Sequence, residues 1–364
     1  MSSVLSSLFN AIQTKLYPFI EESYGELTQN EQRFVKVCEL CTPEKFSQYL
    51  SSSRMGRPKE DRLAIVMAFI AKAIYNFPTT KLLIEHLRCN ATLRRLCGWE
   101  GKNQLPSEST FSRAFAEMAF TQLPQAIHEN LIKTQYNEKI VGHISRDATA
   151  IEAREKPAKK LQKVKKEKRK RGRRKNGEKP LPPEPKKLEI QFNRTLEENL
   201  ADIPCLCDVG AKKDSKGYLI TWNGYKLHID TADGDVPIAA LLSSASTHDS
   251  QVAIPLAQMS DERVTNLYDL MDAAYDAKEI YEMSNKLNHI PLIDSNPRRG
   301  DKVAFDPAKK IRYNQRTSAE RVNSNLKDNY GGNNVRVKGA EKVMAHLMFG
   351  LIALAAEQLF RLLS

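Results

Sequence analysis

Apolar residues recur at helical spacing from position 3 to about 134, with almost none of the alternation that marks a strand. Runs at 59–75, 79–87 and 91–96 predict packed helices, divided by Pro78 and by a break near Asn90. Ser107-Glu108-Ser109-Thr110 follows Pro106 and precedes an apolar run from Phe111, which predicts the capped start of another helix. Two short helices and a capped third resemble a helix-turn-helix arrangement. The pattern changes at Ile140, where 140–146 alternate like a strand that ends at Asp147. Strand-like runs follow at 218–222, 225–230 and 237–242, with turn residues at Asn223-Gly224 and Asp233-Gly234-Asp235, and predict an antiparallel meander. Beyond it, 250–259 predicts a helix, 265–270 a strand, 277–287 a helix, 289–293 a strand and 339–363 a long C-terminal helix. The expected fold class is α/β, a mixed sheet with helices against it behind an all-helical N-terminal domain.

With 364 residues, 41% of them hydrophobic, the chain can bury a sizeable core. Its net charge of +12 is unevenly placed, because 154–187 alone hold 17 Lys and Arg against 4 Glu and leave the remainder near neutral. That segment has almost no apolar content and predicts a mobile insertion. Its Lys168, Arg169, Arg171, Arg173 and Arg174 are expected to meet nucleic-acid phosphates without reading sequence. Six cysteines without a secretion signal suit a reducing compartment, and the spacings of Cys38/Cys41 and Cys205/Cys207 suit a zinc site poorly. The apolar stretch 343–363 carries His346, Glu357, Gln358 and Arg361, which predicts a buried amphipathic helix rather than a membrane span.

Candidate chemistry concentrates at 313–327. On one continuous helix Tyr313, Arg316 and Lys327 would share with Glu320 an arc of about 60°, so an acid, two cations and a phenol share a face. A carboxylate holds divalent metal and cations grip phosphate oxygens, whereas a plain surface helix would show only an Arg316–Glu320 pair. Asp147 and Asp272 each end a predicted strand and are candidates for the same work. Asp202 and Asp208 compete with Asp147, which its place after the opening strand favours, and Asp276 competes with Asp272.

Taken together these residues resemble the bacterial insertion-sequence DDE transposases, with their ribonuclease H-like fold. Tyr313, Arg316, Glu320 and Lys327 match the family's Tyr-x2-Arg-x3-Glu-x6-Lys signature in spacing. Asp272-Ala273-Ala274-Tyr275-Asp276 resembles the motif around its second acid. Gly56-Arg57-Pro58, the run 63–75 and the stretch 105–113 are similar to its N-terminal domain. The resemblance implies an N-terminal helical DNA-binding domain at 1–135, a ribonuclease H-like catalytic core at 136–338 and a C-terminal helix at 339–364. It implies Asp147, Asp272 and Glu320 as catalytic ligands of two Mg2+ or Mn2+ ions, with Tyr313, Arg316 and Lys327 on the DNA backbone. Expected partners are double-stranded DNA, as inverted-repeat transposon ends and target, and a second protomer in the synaptic complex; the expected location is the cytoplasm, at the nucleoid, with no membrane. Only 47 residues separate Asp272 from Glu320, too few for a large inserted β-domain. Strand packing is the expected role of Trp222. A DNA-binding relative that no longer cleaves, and a nuclease without strand transfer, are the other readings left open.

Overall fold

The computed structural model describes residues 3–49, 60–159, 185–213, 216–297 and 304–363. Gly56-Arg57-Pro58 and the basic residues Lys168, Arg169, Arg171, Arg173 and Arg174 lie outside them. Up to Tyr136 the described chain is helical: α1 (Ser3–Ala11), a π turn into α2 (Tyr17–Tyr24), α3 (Gln29–Cys41), α4 (Arg62–Ile74), α5 (Thr80–Cys89), α6 (Ala91–Leu96), α7 (Glu108–Phe120) and α8 (Leu123–Tyr136). Side-chain caps explain where several of them begin. Thr28 and Glu31 form a reciprocal capping box on α3, and Asp61, Thr79, Asn90 and Ser107 cap α4, α5, α6 and α7.

The remainder alternates: β1 (Ile140–Glu152), α9 (Lys187–Phe192), α10 (Leu196–Ala201), β2 (Asp208–Lys213), β3 (Leu219–Ala232), β4 (Val236–Ser244), α11 (Ser250–Asp261), β5 (Thr265–Met271), α12 (Lys278–Lys286), β6 (Ile290–Ile293), α13 (Pro307–Tyr313), α14 (Thr317–Asn329) and α15 (Ala340–Arg361). The strands form one mixed six-stranded sheet in which β4, β3, β1, β5 and β6 lie side by side, with β2 also on β3. Both pairings of β3 with β1 and β4 are antiparallel, while β1–β5 and β5–β6 are parallel. This mixed sheet flanked by helices is consistent with a ribonuclease H-like core.

Two strand expectations change. Asn223-Gly224 is not a hairpin turn, because β3 runs unbroken from Leu219 to Ala232. Gly224 is there for close approach: a Cβ at that position would sit 2.1 Å from the Ile151 carbonyl oxygen, and its φ of +152° is one that side chains rarely adopt. Asp147 does not end β1 either; the strand continues to Glu152 and leaves Asp147 in its middle.

The C-terminal helix α15 joins the two halves. It packs against α3, α4, α7, α8 and β4, and its residues belong to a single apolar cluster that includes both the N-terminal helices and the sheet. Phe349 of α15 stacks on Phe69 of α4 at 5.6 Å, and Glu357 pairs with Arg33 of α3 at 2.8 Å. Among the described residues it is the one helix long and apolar enough to cross a membrane, yet 83% of that window is buried inside the protein.

Between sheet and helices lies a buried ion pair. Arg146 of β1 and Asp230 of β3 are directly opposed in the register, and Nε and Nη2 of the guanidinium donate to the two carboxylate oxygens at 2.7 and 2.6 Å. Ser260 of α11 donates to the same carboxylate at 2.7 Å. Burial opposes the Arg146 charge, but the Asp230 carboxylate more than offsets it and holds the guanidinium above its ordinary range. Removing one partner strands the other charge in the core, so Asp230→Ala is expected to lose about 3–5 kcal/mol in denaturant unfolding. A loss below ~1 kcal/mol would mean that water reaches the pair.

Candidate active site

Alternation along β1 separates two chemistries. Arg146 faces α11, whereas Ser145 and Asp147 face α14: Ser145 Oγ donates to the Gln315 carbonyl at 3.3 Å, and Asn323 Nδ2 of α14 donates to Asp147 Oδ2 at 2.9 Å. Ser145 lies opposite Leu270 in the parallel β1–β5 register, and two more residues along each strand bring Asp147 level with Asp272. Asp272 follows the last residue of β5 and caps a short 3-10 turn, with Oδ1 accepting from the Ala274 N–H at 2.9 Å. Parallel neighbours in the interior of the sheet thus deliver two acids side by side, level with the C-terminal end of β5.

Their electrostatics reflect burial first and neighbouring charges second. Burial pushes the Asp147 carboxyl up to about 6; the Asp272 charge adds to the rise, while the Ala148 N–H, Arg316 and Asn323 oppose it. Burial also raises Asp272, with the Ala274 N–H and Arg316 in opposition and the charges of Asp249 and Asp294 in support. Asp249, at the head of α11, is held by Lys226 at 2.9 Å. Tyr275 is buried among these acids, its hydroxyl has no hydrogen-bond partner among the described residues, and burial holds it protonated well above its ordinary range.

Helix α14 brings the remaining candidates, differently from a single continuous helix. A 3-10 turn at Asn314–Arg316 separates α13 from α14, so the chain winds more tightly between Tyr313 and Glu320 than α-helical spacing assumes. Tyr313 is 8% exposed and packs with Leu270, Leu292 and Phe305. Glu320 is about half exposed and is held by Arg316, Nη2 to Oε1 at 2.5 Å. Among the described residues, no three His, Cys, Asp or Glu side chains converge closely enough to hold a metal ion. Asp147 and Asp272 therefore stand together under the influence of Arg316, while Glu320 faces that same arginine. Lys327 is half-buried; burial and Lys212 lower its ammonium, and Glu152, Asp328 and Asp147 oppose the shift.

The competing acids are engaged elsewhere. Asp202 pairs with Lys187 and Arg194, Asp208 accepts from the Ser246 N–H at 2.9 Å, and Asp276 accepts from the Asn296 N–H at 2.9 Å. Asp276 closes the 3-10 turn ahead of α12. Trp222 is buried, covers Gly210 of β2 and donates Nε1 to the Tyr225 carbonyl at 3.1 Å. Sequence reasoning missed Asn323, which sits three residues after Glu320 on α14, and it missed Asp249, which only the return of β4 into α11 brings close.

Comparison with known families adds two matches. Residues 206–356 match the transposase DDE domain, and residues 23–117 match a second transposase domain, DUF772. These support a transposase of the DDE family. They likewise support a nucleic-acid-processing enzyme with DNA as its partner. The DDE transposase match includes Asp272 and Glu320 and begins beyond Asp147. No curated protein matches the chain.

The folded protein holds the Asp147 proton more tightly than the unfolded chain does, so this carboxylate costs stability above pH about 6 and ceases to do so below about 4. In the presence of a chelator, Asp147→Asn is expected to stabilise the protein at pH 8 by up to about 3 kcal/mol and to leave it unchanged near pH 4. Denaturant unfolding at both pH values checks this; destabilisation at both would place Asp147 in an ordinary hydrogen-bond network.

Proposed function

We propose that the chain is a metal-dependent DDE transposase that cleaves at the ends of its own element and joins them to target DNA. The observation that carries this is the convergence of Asp147 and Asp272 from parallel strands, both carboxyl groups raised chiefly by burial, beside Arg316 in the 3-10 turn and Glu320 and Lys327 on α14. These residues suit divalent cations: two partly buried carboxylates face a third acidic charge at Asp249, Arg316 offsets them only in part, and the Tyr275 hydroxyl beside them has no partner among the described residues. Asp147 and Asp272 would hold two Mg2+ or Mn2+ ions, with Glu320 as third ligand once it leaves Arg316. Such ions supply activation of the attacking hydroxyl and stabilisation of the leaving oxygen for in-line phosphodiester displacement.

The chain's own residues do the positioning. Asn323 fixes the Asp147 carboxylate against β1, and the Ala274 N–H fixes Asp272. Arg316, released from Glu320, presents a planar fork to a phosphate, while the ammonium of Lys327 acts as a point charge beside it. Tyr313 packs behind Arg316, 6.0 Å from guanidinium to ring centroid, and orients it more than it contacts DNA. Synapsis of two ends calls for two protomers, and work on chromosomal DNA places the protein at the nucleoid.

The test is end cleavage by the purified chain, with Mg2+, on DNA carrying the terminal repeats that flank its gene. Asp272→Asn is expected to lower cleavage about 100-fold or more while end binding persists. Unchanged cleavage would overturn the assignment. Binding without cleavage by the wild type would favour a silent DNA-binding relative, and cleavage without joined products a nuclease.

A further inference from the structure

A second basic site lies away from the acids, in the seam between the N-terminal helices and the core. A cavity of about 360 Å3 opens there, lined by α4, α5, α7, the chain leaving β1 and the connection from α14 to α15. At its wall is Lys72 of α4, 9% exposed, with no hydrogen-bond or ion-pair partner among the described residues. A buried ammonium without a counter-charge is costly, and cores rarely retain one unless something outside the chain pairs with it.

The surroundings are those of an anion site. Arg154, two residues past the end of β1, and Arg336, in the connection before α15, line the same cavity, and neither has an ion-pair partner among the described residues. The N-terminus of the ten-residue α5, capped by Thr79, adds partial positive charge from its first-turn N–H groups. Among the described residues Glu108 is the one acid in the lining, so positive charge there exceeds negative. His346 adds none: burial and the nearby Lys72 charge keep it neutral, near 3, with Nε2 3.0 Å from the Gly331 carbonyl. Burial lowers Lys72 only to about 8, so at neutral pH it remains charged.

We propose that this cavity seats a backbone phosphate of the bound DNA, with Lys72 at its base and Arg154 and Arg336 at its mouth. Arg154 lies seven residues along the chain from Asp147, on the order of 20 Å in extended chain. A duplex of one helical turn, about 34–36 Å, can therefore reach both the acids and this cavity. The seam lies where the helices of the DUF772 region meet the DDE region, so a phosphate there ties both to the same DNA. The inference rests on the transposase reading and adds to it a contact that does no chemistry.

The test is binding of the full chain to a random-sequence duplex in chelator, measured across a salt series. Removing one cation that neutralises a phosphate should reduce the slope of log affinity against log salt by about 0.9. Lys72→Met is expected to weaken binding and reduce the slope by that amount, with no fall in melting temperature; Arg336→Gln, exposed and safe for folding, is expected to act in the same direction. An unchanged slope in both variants, with the wild type still binding, overturns this site and leaves the transposase reading intact. A wild type that binds no duplex would instead undermine the transposase reading itself. Inorganic phosphate distinguishes the source: if it raises the melting temperature of wild type but not Lys72→Met, while the salt slopes stay equal, the cavity takes a free anion and the DNA assignment fails.

Discussion

Everything at the candidate site depends on the register between β1 and β3, which the buried Arg146–Asp230 pair locks. Side chains alternate along a strand, so a slip of one residue would turn Arg146 toward α14 and drive Asp147 into the closed layer under α11. Neither move is tolerable, since the guanidinium would lose both oxygens of Asp230 and Asp147 would lose Asn323. A pair of apolar residues of similar volume would stabilise the core as well, or better, without specifying register. Gly224 enforces the same alignment at the far end of the pairing, because only a residue without Cβ lets β3 approach Ile151.

The two faces of the sheet handle charge in opposite ways. Under α11 and α12, the buried acids are paired: Asp230 with Arg146, and Asp269 with His289 at 3.3 Å and Ser284 at 2.7 Å. On the α14 side, Asp147 and Asp272 share part of one arginine and repel one another. The first arrangement stabilises a fold; the second stores unfavourable charge where a cation would relieve it. Residues at functional sites commonly violate rules that the rest of the fold obeys. Lys72 is the converse case, a buried cation with no ion-pair partner among the described residues, in a seam that Arg154 and Arg336 also line.

Much of the fold is legible in the sequence because its periodicities are strong. The order of elements from β4 to β6 and the buried nature of α15 follow from apolar spacing alone, and Asp272 is marked by its place after a strand, whereas α9, α10 and β2 lie in a stretch for which that spacing predicts no element. Other features depend on tertiary context. Asn223-Gly224 has the residues of a hairpin turn, yet the glycine serves a neighbouring strand. Apolar spacing stops the opening strand at Asp147 because the alternating small and polar residues from Ala148 to Ala150 carry little apolar signal. The 3-10 turn before α14 leaves no trace in spacing, so helical geometry sets Tyr313 on a shared exposed face although it packs inward. An asparagine on a polar helix face has no distinctive pattern, which hides Asn323, and the Arg146–Asp230 pair spans 84 residues of sequence.

The central claim is that Asp147 and Asp272 form one cation-binding centre. Calorimetric titration of the metal-free protein with Mn2+ tests it most directly, in buffers of different ionisation enthalpy so that proton release is counted. The account predicts binding that releases protons near pH 6, because Asp147 must give up its proton to ligate, that weakens as pH falls below that value, and that is lost in both Asp147→Asn and Asp272→Asn. Mn2+ affinity that is independent of pH across that range and unchanged in the two variants would contradict it.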